Sequence, residues 1–206
     1  IKLSNSIQDS LILDFFSGSA TTAHAVMQLN AEDGGKRKYI CVQLNEATPE
    51  DSEARKAGYD SIPEIAKERI RRAGQKIKAE APLTTQNLDT GFRVLRLADS
   101  NFNEVNRHPN EYDQVQLDLF ATNIKEDRND LDLLFGAMLS WGVPLSLPIS
   151  TAEIDGCRLY NVNDGDLVAC FAENVSVAVV KAMASKVSLR VLFRDSCFAE
   201  DKHKIN

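Results

Sequence analysis

Glycine-rich loops, paired cysteines, adjacent prolines, long apolar runs and a basic surplus are all missing from this 206-residue chain. No lysine is followed by Ser or Thr, so a phosphate-cradling P-loop is excluded, and with it the usual ATP or GTP site. Cys41, Cys157, Cys170 and Cys197 lie far apart without CxxC spacing. They read as reduced thiols of a cytoplasmic protein, not as a zinc site or a disulfide framework. No apolar run approaches the roughly 20 residues of a membrane span, and the start carries no signal-peptide pattern. The chain opens on Ile1 and not on methionine, so its start is expected to be a boundary inside a longer protein.

A net charge of −6 argues against a free-standing nucleic-acid binder, but the charge is unevenly placed. Residues 1–98 hold 14 basic and 13 acidic side chains, whereas residues 99–206 hold 10 and 17. Any approach to a phosphate backbone therefore belongs to the first half. The acidic second half reads as a partner-binding or solvating module.

What is present centres on Leu11 to Ala23. A short apolar run ends in Asp14, then Phe15 and Phe16, a Ser17-Gly18-Ser19 turn, and a helix-like segment from Ala20 to Leu29. Strand, small-residue turn and helix describe a nucleotide or cofactor crevice at the carboxyl end of a parallel strand. Ala20, Ala23, Val26 and Met27 give that helix one apolar face, and Gly34-Gly35 closes it. Tyr39 to Leu44 reads as a second buried strand, completing a crossover unit. Residues 46–61 read as a polar loop. Pro63 suits the first turn of a helix whose buried face is Ile62, Ala66, Ile70, Ala73 and Ile77, and Pro82 stops it. Its basic side chains, Lys67 to Lys78, read as a solvated face interleaved with Glu64 and Glu68, phosphate contact being the alternative.

Gly91 to Leu97 alternates as a further strand. Residues 99–129, rich in Asn, Asp and Glu with few apolar anchors, read as a linker with local structure. Asp130 suits the cap of a helix with a stripe of Leu131, Leu134, Phe135, Met138 and Leu139, ended by Gly142 and Pro144. Strand-like runs follow at 146–154, 157–162 and 166–171, with a hairpin turn at Asn163 to Gly165. Asn174 suits a helix cap, although Val175 to Val180 reads equally as a strand, and Leu189 to Phe193 closes as a strand.

Ligand chemistry can be weighed on the turn alone. A dinucleotide site needs several glycines for the pyrophosphate to approach, and here Gly18 stands alone with Ala20 where a second would help. S-adenosylmethionine, which has no phosphate, fits better. Asp14 suits its ammonium, and backbone N–H groups at the helix start suit its carboxylate. Gln43 stands where an acid usually accepts ribose hydroxyls, with Asn45 and Glu46 as alternates; otherwise it simply ends a strand. Of Phe15 and Phe16, one is expected to fill the core and Phe16 to flank the ligand. His24 reads as a packed helix residue and not as a base.

Asp14 to Val26, Tyr39 to Glu46, Ala57 to Tyr59, and the helix Ile65 to Arg72 resemble the modification subunit of type III restriction–modification systems, which is similar to the β-group DNA amino-methyltransferases. The likeness continues through Gly91 to Val94, Leu131 to Leu134 and Val191 to Asp195. It implies an α/β chain: a partial Rossmann-like, S-adenosylmethionine-dependent methyltransferase sheet over 1–98, a linker at 99–129, and a small α+β C-terminal domain over 130–206. It also implies adenine-N6 methylation of double-stranded DNA, with a restriction subunit and a second modification subunit as partners. Asp14, Phe15, Phe16, Ser17, Gly18, Ser19, Thr21, Gln43 and Asn45 would bind cofactor, and no residue here would be catalytic or hold a metal. In that family an Asp-Pro-Pro-Tyr loop precedes the cofactor loop; the six prolines here are never adjacent, so the chain is expected to be a C-terminal part that is inactive alone. The competing expectations are a dimerisation or restriction-subunit docking module at 130–206 and, more weakly, a dinucleotide-binding protein.

Overall fold

The computed structural model describes residues 7–103 and 123–198. The chain divides into two compact units, Ile1–Leu95 and Arg96–Asn206. Helices and strands are mixed in both.

In the first unit β1 (Leu11–Asp14) and β2 (Lys38–Cys41) pair in parallel, Leu11 beside Lys38 and Asp14 beside Cys41. The connection is α1 (Thr21–Asp33), as the spacing of Ala20, Ala23, Val26 and Met27 predicts, and all four are buried. Gly34 ends α1 in the left-handed region and donates its N–H to the Asn30 carbonyl at 2.9 Å. The Asn30 amide then exchanges hydrogen bonds with the Arg37 backbone at 2.9 and 3.1 Å, turning the chain back into β2. Arg37 pairs with Asp33 at 2.8 Å and holds that carboxyl below the usual range.

A one-turn helix, α2 (Glu53–Lys56), interrupts what reads as loop; the Ser52 hydroxyl caps it by accepting from the Arg55 N–H at 3.2 Å. Helix α3 (Ile62–Glu80) lays Ala66, Ile70, Ala73 and Ile77 against Ala20, Ala23 and Met27 of the α1 segment. The alanines at this contact leave room for close helix packing. Gly74 extends the economy of space: a Cβ there would meet the Thr90 side chain at 2.9 Å, so the segment after α3 closes on it because no side chain intervenes.

Two expectations fail in this unit. The strands are not buried on both sides. Ile12, Tyr39 and Cys41 face the helices, while Leu11, Leu13, Ile40 and Val42 on the other face are 42 to 60% exposed. The segment Gly91 to Leu97 is not a strand. Alternation supplies a face but no hydrogen-bonding neighbour, and a ladder needs one. Phe92 instead packs on the α1–α3 core beneath the Arg71 guanidinium, 5.6 Å from its ring, and Val94, Leu95 and Leu97 stay exposed.

The second unit contains α4 (Asp130–Ser140), β3 (Ile149–Ile154), β4 (Cys157–Val162), β5 (Leu167–Cys170), α5 (Val177–Ala184) and β6 (Val191–Phe193). The sheet runs in chain order. β3, β4 and β5 are antiparallel, and α5 carries the chain to β6 parallel to β5. Asn163, Asp164 and Gly165 all take positive φ, forming the expected turn between β4 and β5. One face of the sheet buries Tyr160, Val162, Leu167 and Ala169 with α4. The other buries Leu159, Val168 and Cys170 with Val179 and Met183 of α5. β5 is therefore buried on both sides, which is why it reads as an unbroken apolar run.

Asn129, not Asp130, caps α4: its side chain accepts from Leu131 and Asp132 N–H groups, and the Asn129 N–H in turn donates to the Asp132 carboxylate at 2.9 Å. Asp130 accepts from the buried Tyr160 hydroxyl at 3.1 Å, which turns its side of the helix to the sheet. The buried residues are consequently Leu133, Leu134 and Met138; the expected Leu131 and Leu139 are 47 and 71% exposed. Ser176 rather than Asn174 caps α5, and the ambiguous 175–180 run is helical from Val177. The described ends of 99–129 carry local structure. Phe102 bridges Ile124, and Asp99 pairs with Arg128 at 2.6 Å and with Lys125.

Tyr39 buries a hydroxyl that has no hydrogen-bond partner, and burial pushes its pKa up to about 12. Unfolding releases that phenol to its ordinary value near 10, so its contribution is intact below pH 10 and is lost as pH rises toward 12. Tyr39→Phe should leave neutral-pH stability within about 1 kcal/mol of wild type. It should also flatten the fall in stability between pH 10 and 12, as measured by urea unfolding at stepped pH.

Candidate functional site

Past their last paired residues, β1 and β2 stay joined. Val42 donates its N–H to the Asp14 carbonyl at 2.8 Å, and Ser17 donates both its N–H and its hydroxyl to the Val42 carbonyl at 3.2 and 3.3 Å. The Gly18 N–H then donates to Oε1 of Gln43 at 2.8 Å. Ala20 closes the turn by donating to the Ser17 carbonyl at 2.7 Å. Four of the expected site residues, Asp14, Ser17, Gly18 and Gln43, are thus brought together by one run of hydrogen bonds across the two strand exits.

Asp14 is held from two directions. Its Oδ1 accepts the Phe16 N–H at 3.2 Å and its Oδ2 accepts the Thr22 hydroxyl at 2.5 Å. Beneath it the Cys41 thiol is pushed up in pKa, first by burial and then by the Asp14 carboxylate. The Ala23 N–H and the Ser17 hydroxyl act in the opposite direction. That thiol is therefore kept protonated, as packing and not as a nucleophile.

Gly18 and Ala20 both take left-handed backbone, φ 51° and 59°. Ala20 is the N-cap of α1, fully buried, with no side chain to accept from the first turn. The helix start thus presents the Thr21 and Thr22 amides beside one fixed carboxylate, Ala20 and Ala23 donating to Ser17 and Cys41. Such a pair suits a zwitterion, its ammonium on Asp14 and its carboxylate at the helix start. A diphosphate would meet Asp14 as a repulsive neighbour.

The remaining expected residues are less engaged. Phe15 and Phe16 are 63 and 90% exposed, so neither fills the core as one was expected to. β1 has already ended, and the turn that Asp14 holds carries both rings outside the sheet. Ser19 is half-buried, Thr21 is exposed on the first turn of α1, and Asn45 is exposed past β2. Gln43 lies beyond the strand, which ends at Cys41, and its oxygen is committed to Gly18. Thr22 was missed: of the two threonines, the second is the one whose hydroxyl reaches Asp14. Glu46 helps through its carbonyl, which accepts the Ile62 N–H at 2.9 Å and fixes the loop to the start of α3.

Four of the six basic side chains of α3, Lys67, Arg71, Arg72 and Lys76, pair with acidic neighbours. Arg72 bonds Glu68 at 2.7 Å and Tyr59 at 3.1 Å, Lys67 pairs with Glu64, and Lys76 with Glu80 at 3.7 Å. The interleaving with Glu64 and Glu68 is the one expected. Among the described residues no cluster of His, Cys, Asp and Glu is arranged to hold a metal, and no helix is long and apolar enough to cross a membrane.

Ala20 and Ala23 are both fully buried, but only Ala20 is left-handed. Ala23→Gly should cost about 2 kcal/mol, a lost methyl plus a helix-interior glycine. Ala20→Gly should fall near zero, because relief of about 1–2 kcal/mol of left-handed strain offsets the same losses. Equal costs in urea unfolding would contradict the strained cap.

No model of a known protein family matches the chain. It is, however, similar to several curated proteins. The type III restriction-modification enzyme EcoPI Mod subunit of Escherichia phage P1 is 43% identical over 201 residues, covering 95% of this chain and 28% of that protein. The StyLTI Mod subunit of Salmonella typhimurium strain LT2 is 50% identical over 91 residues, 44% of this chain and 14% of the relative. The type II methyltransferase M.KpnI of Klebsiella pneumoniae is 47% identical over 62 residues, 30% of this chain and 15% of the relative. The chain spans less than a third of the length of each.

Proposed function

We propose, for a chain that belongs to the family of type III restriction–modification Mod subunits, that its first unit is the S-adenosylmethionine-holding part of a site-specific DNA adenine-N6 methyltransferase. The observation that carries the reading is the pairing of a doubly anchored carboxylate, Asp14, with the uncapped start of α1. The methyltransferase name of one relative points the same way.

In this reading Asp14 takes the ammonium, and the Ser19 amide with those of Thr21 and Thr22 at the start of α1 takes the carboxylate, the Ser17, Gly18 and Ala20 amides being engaged within the turn. Phe16 offers its exposed ring to the adenine, with Phe15 beside it. Ser19, Thr21 and Asn45 line the rim. Gln43 meets the ribose through its amide nitrogen, its oxygen being engaged with Gly18. Bound there, S-adenosylmethionine supplies the electrophilic methyl group. The chain's own part is to hold that methyl in place, since positioning is much of what such a transfer needs. The target adenine would be flipped from the duplex. A loop with adjacent prolines would hold it, and residues 1–206 contain no such loop, so this chain should bind cofactor weakly and not methylate.

The open apolar face of β1 and β2 supports a wider, Rossmann-like sheet, because parallel strands are ordinarily covered by helices on both sides. Within that arrangement residues 1–98 serve the cofactor, 99–129 join the parts, and 130–206 form the second domain. Double-stranded DNA and a restriction subunit are the partners proposed for the whole protein, in the cytoplasm. A second reading, that 130–206 dimerises the subunit or docks the restriction subunit, is favoured by its acidic balance and by exposed Val177, Val187 and Leu189.

Calorimetric titration separates the ligand classes. The chain should bind S-adenosylmethionine and not NAD, and Asp14→Ala should weaken binding at least roughly tenfold through loss of a charge-assisted contact. Unchanged affinity in Asp14→Ala, or equal binding of NAD, would sink the assignment.

A further inference from the structure

We propose that Thr22 is the positioning residue of this site: its hydroxyl fixes the Asp14 carboxylate in the orientation that receives the ligand ammonium. The inference rests on the cofactor reading above and adds a residue that the motif comparison did not mark.

Asp14 is the last residue of β1, and its side chain is free to rotate unless something holds each oxygen. The Phe16 N–H holds Oδ1 at 3.2 Å, a contact within the turn that moves with the turn. The Thr22 hydroxyl holds Oδ2 at 2.5 Å from the first turn of α1, an element whose position is set by the buried Ala23, Val26 and Met27. The second contact therefore references the carboxylate to the helix core and not to the loop. Threonine suits the task because a β-branched side chain in a helix has few χ1 states, so its hydroxyl is aimed before any ligand arrives. The neighbouring Thr21 is exposed, so the pair is not redundant. A hydroxyl also leaves the charge of Asp14 in place, where a lysine or arginine at this position would neutralise it and compete with the ligand's ammonium.

The test compares Thr22→Val, which keeps the branched shape without the hydroxyl, with Thr22→Ser, which restores it. Two ligands are titrated by calorimetry: S-adenosylhomocysteine, which carries the ammonium, and methylthioadenosine, which lacks the whole amino-acid end. Thr22→Val should lose roughly tenfold in affinity for S-adenosylhomocysteine, in line with a hydrogen bond to a charged group. It should leave methylthioadenosine unchanged, and Thr22→Ser should recover most of the loss. In an Asp14→Ala background Thr22→Val should have no further effect, because Thr22 acts through Asp14. Equal weakening for both ligands, or an additive loss without Asp14, would assign Thr22 a structural role and overturn the proposal. Wild-type binding that Thr22→Val leaves intact would overturn it alone, and absence of binding by wild type would overturn the cofactor reading with it.

Discussion

The parallel ladder between β1 and β2 does not stop where the strands do, and the site depends on that continuation. Val42 reaches Asp14, Ser17 reaches Val42, and Gly18 reaches Gln43, so two strand exits that would otherwise diverge are stitched into one floor. In parallel sheets loops at the carboxyl ends of strands are where ligands are held, since the chain turns there into helices with free amide donors. Here the stitching fixes the distance between the acid on the first exit and the amide-rich start of α1.

That floor uses backbone conformations that ordinary residues resist. Gly18 takes positive φ without penalty, whereas Ala20 takes it with a Cβ, fully buried against the α1–α3 core. The strain is held in place by packing: Ala20 lies in the same cluster as Met27, Ile70 and Ala73. Strain of this kind is common at ligand sites. It is consistent with a turn shaped for its ligand more than for its own stability.

Much of the fold was legible because its determinants are local. The Ala20-Ala23-Met27 spacing, the Gly34 stop, Pro63 near the start of α3 and the Asn163-Asp164-Gly165 turn each carry their own geometry, and each stands where the residues predicted. The failures share a different cause. The Gly91 to Leu97 segment has strand alternation but no paired neighbour. The phase of α4 was set by Tyr160, 30 residues away in the chain, bonding Asp130, which no helical spacing contains. Within the site, the acid, the lone glycine and the turn were readable as chemistry. The bond from Thr22 to Asp14 exists only once α1 folds back on β1, and that from Gly18 to Gln43 only once the strand exits meet, so the resemblance marked Thr21 and not Thr22, and strand position cast Gln43 as a partner of the ligand.

The turn between β1 and α1, with the exit of β2, is the place proposed to hold the ligand. Amide hydrogen exchange of the full chain, with and without S-adenosylhomocysteine, reads this directly. Exchange should slow over residues 16–24 and 42–46, with residues 124–198 unchanged. Protection of 124–198 with none at the turn would place the ligand elsewhere.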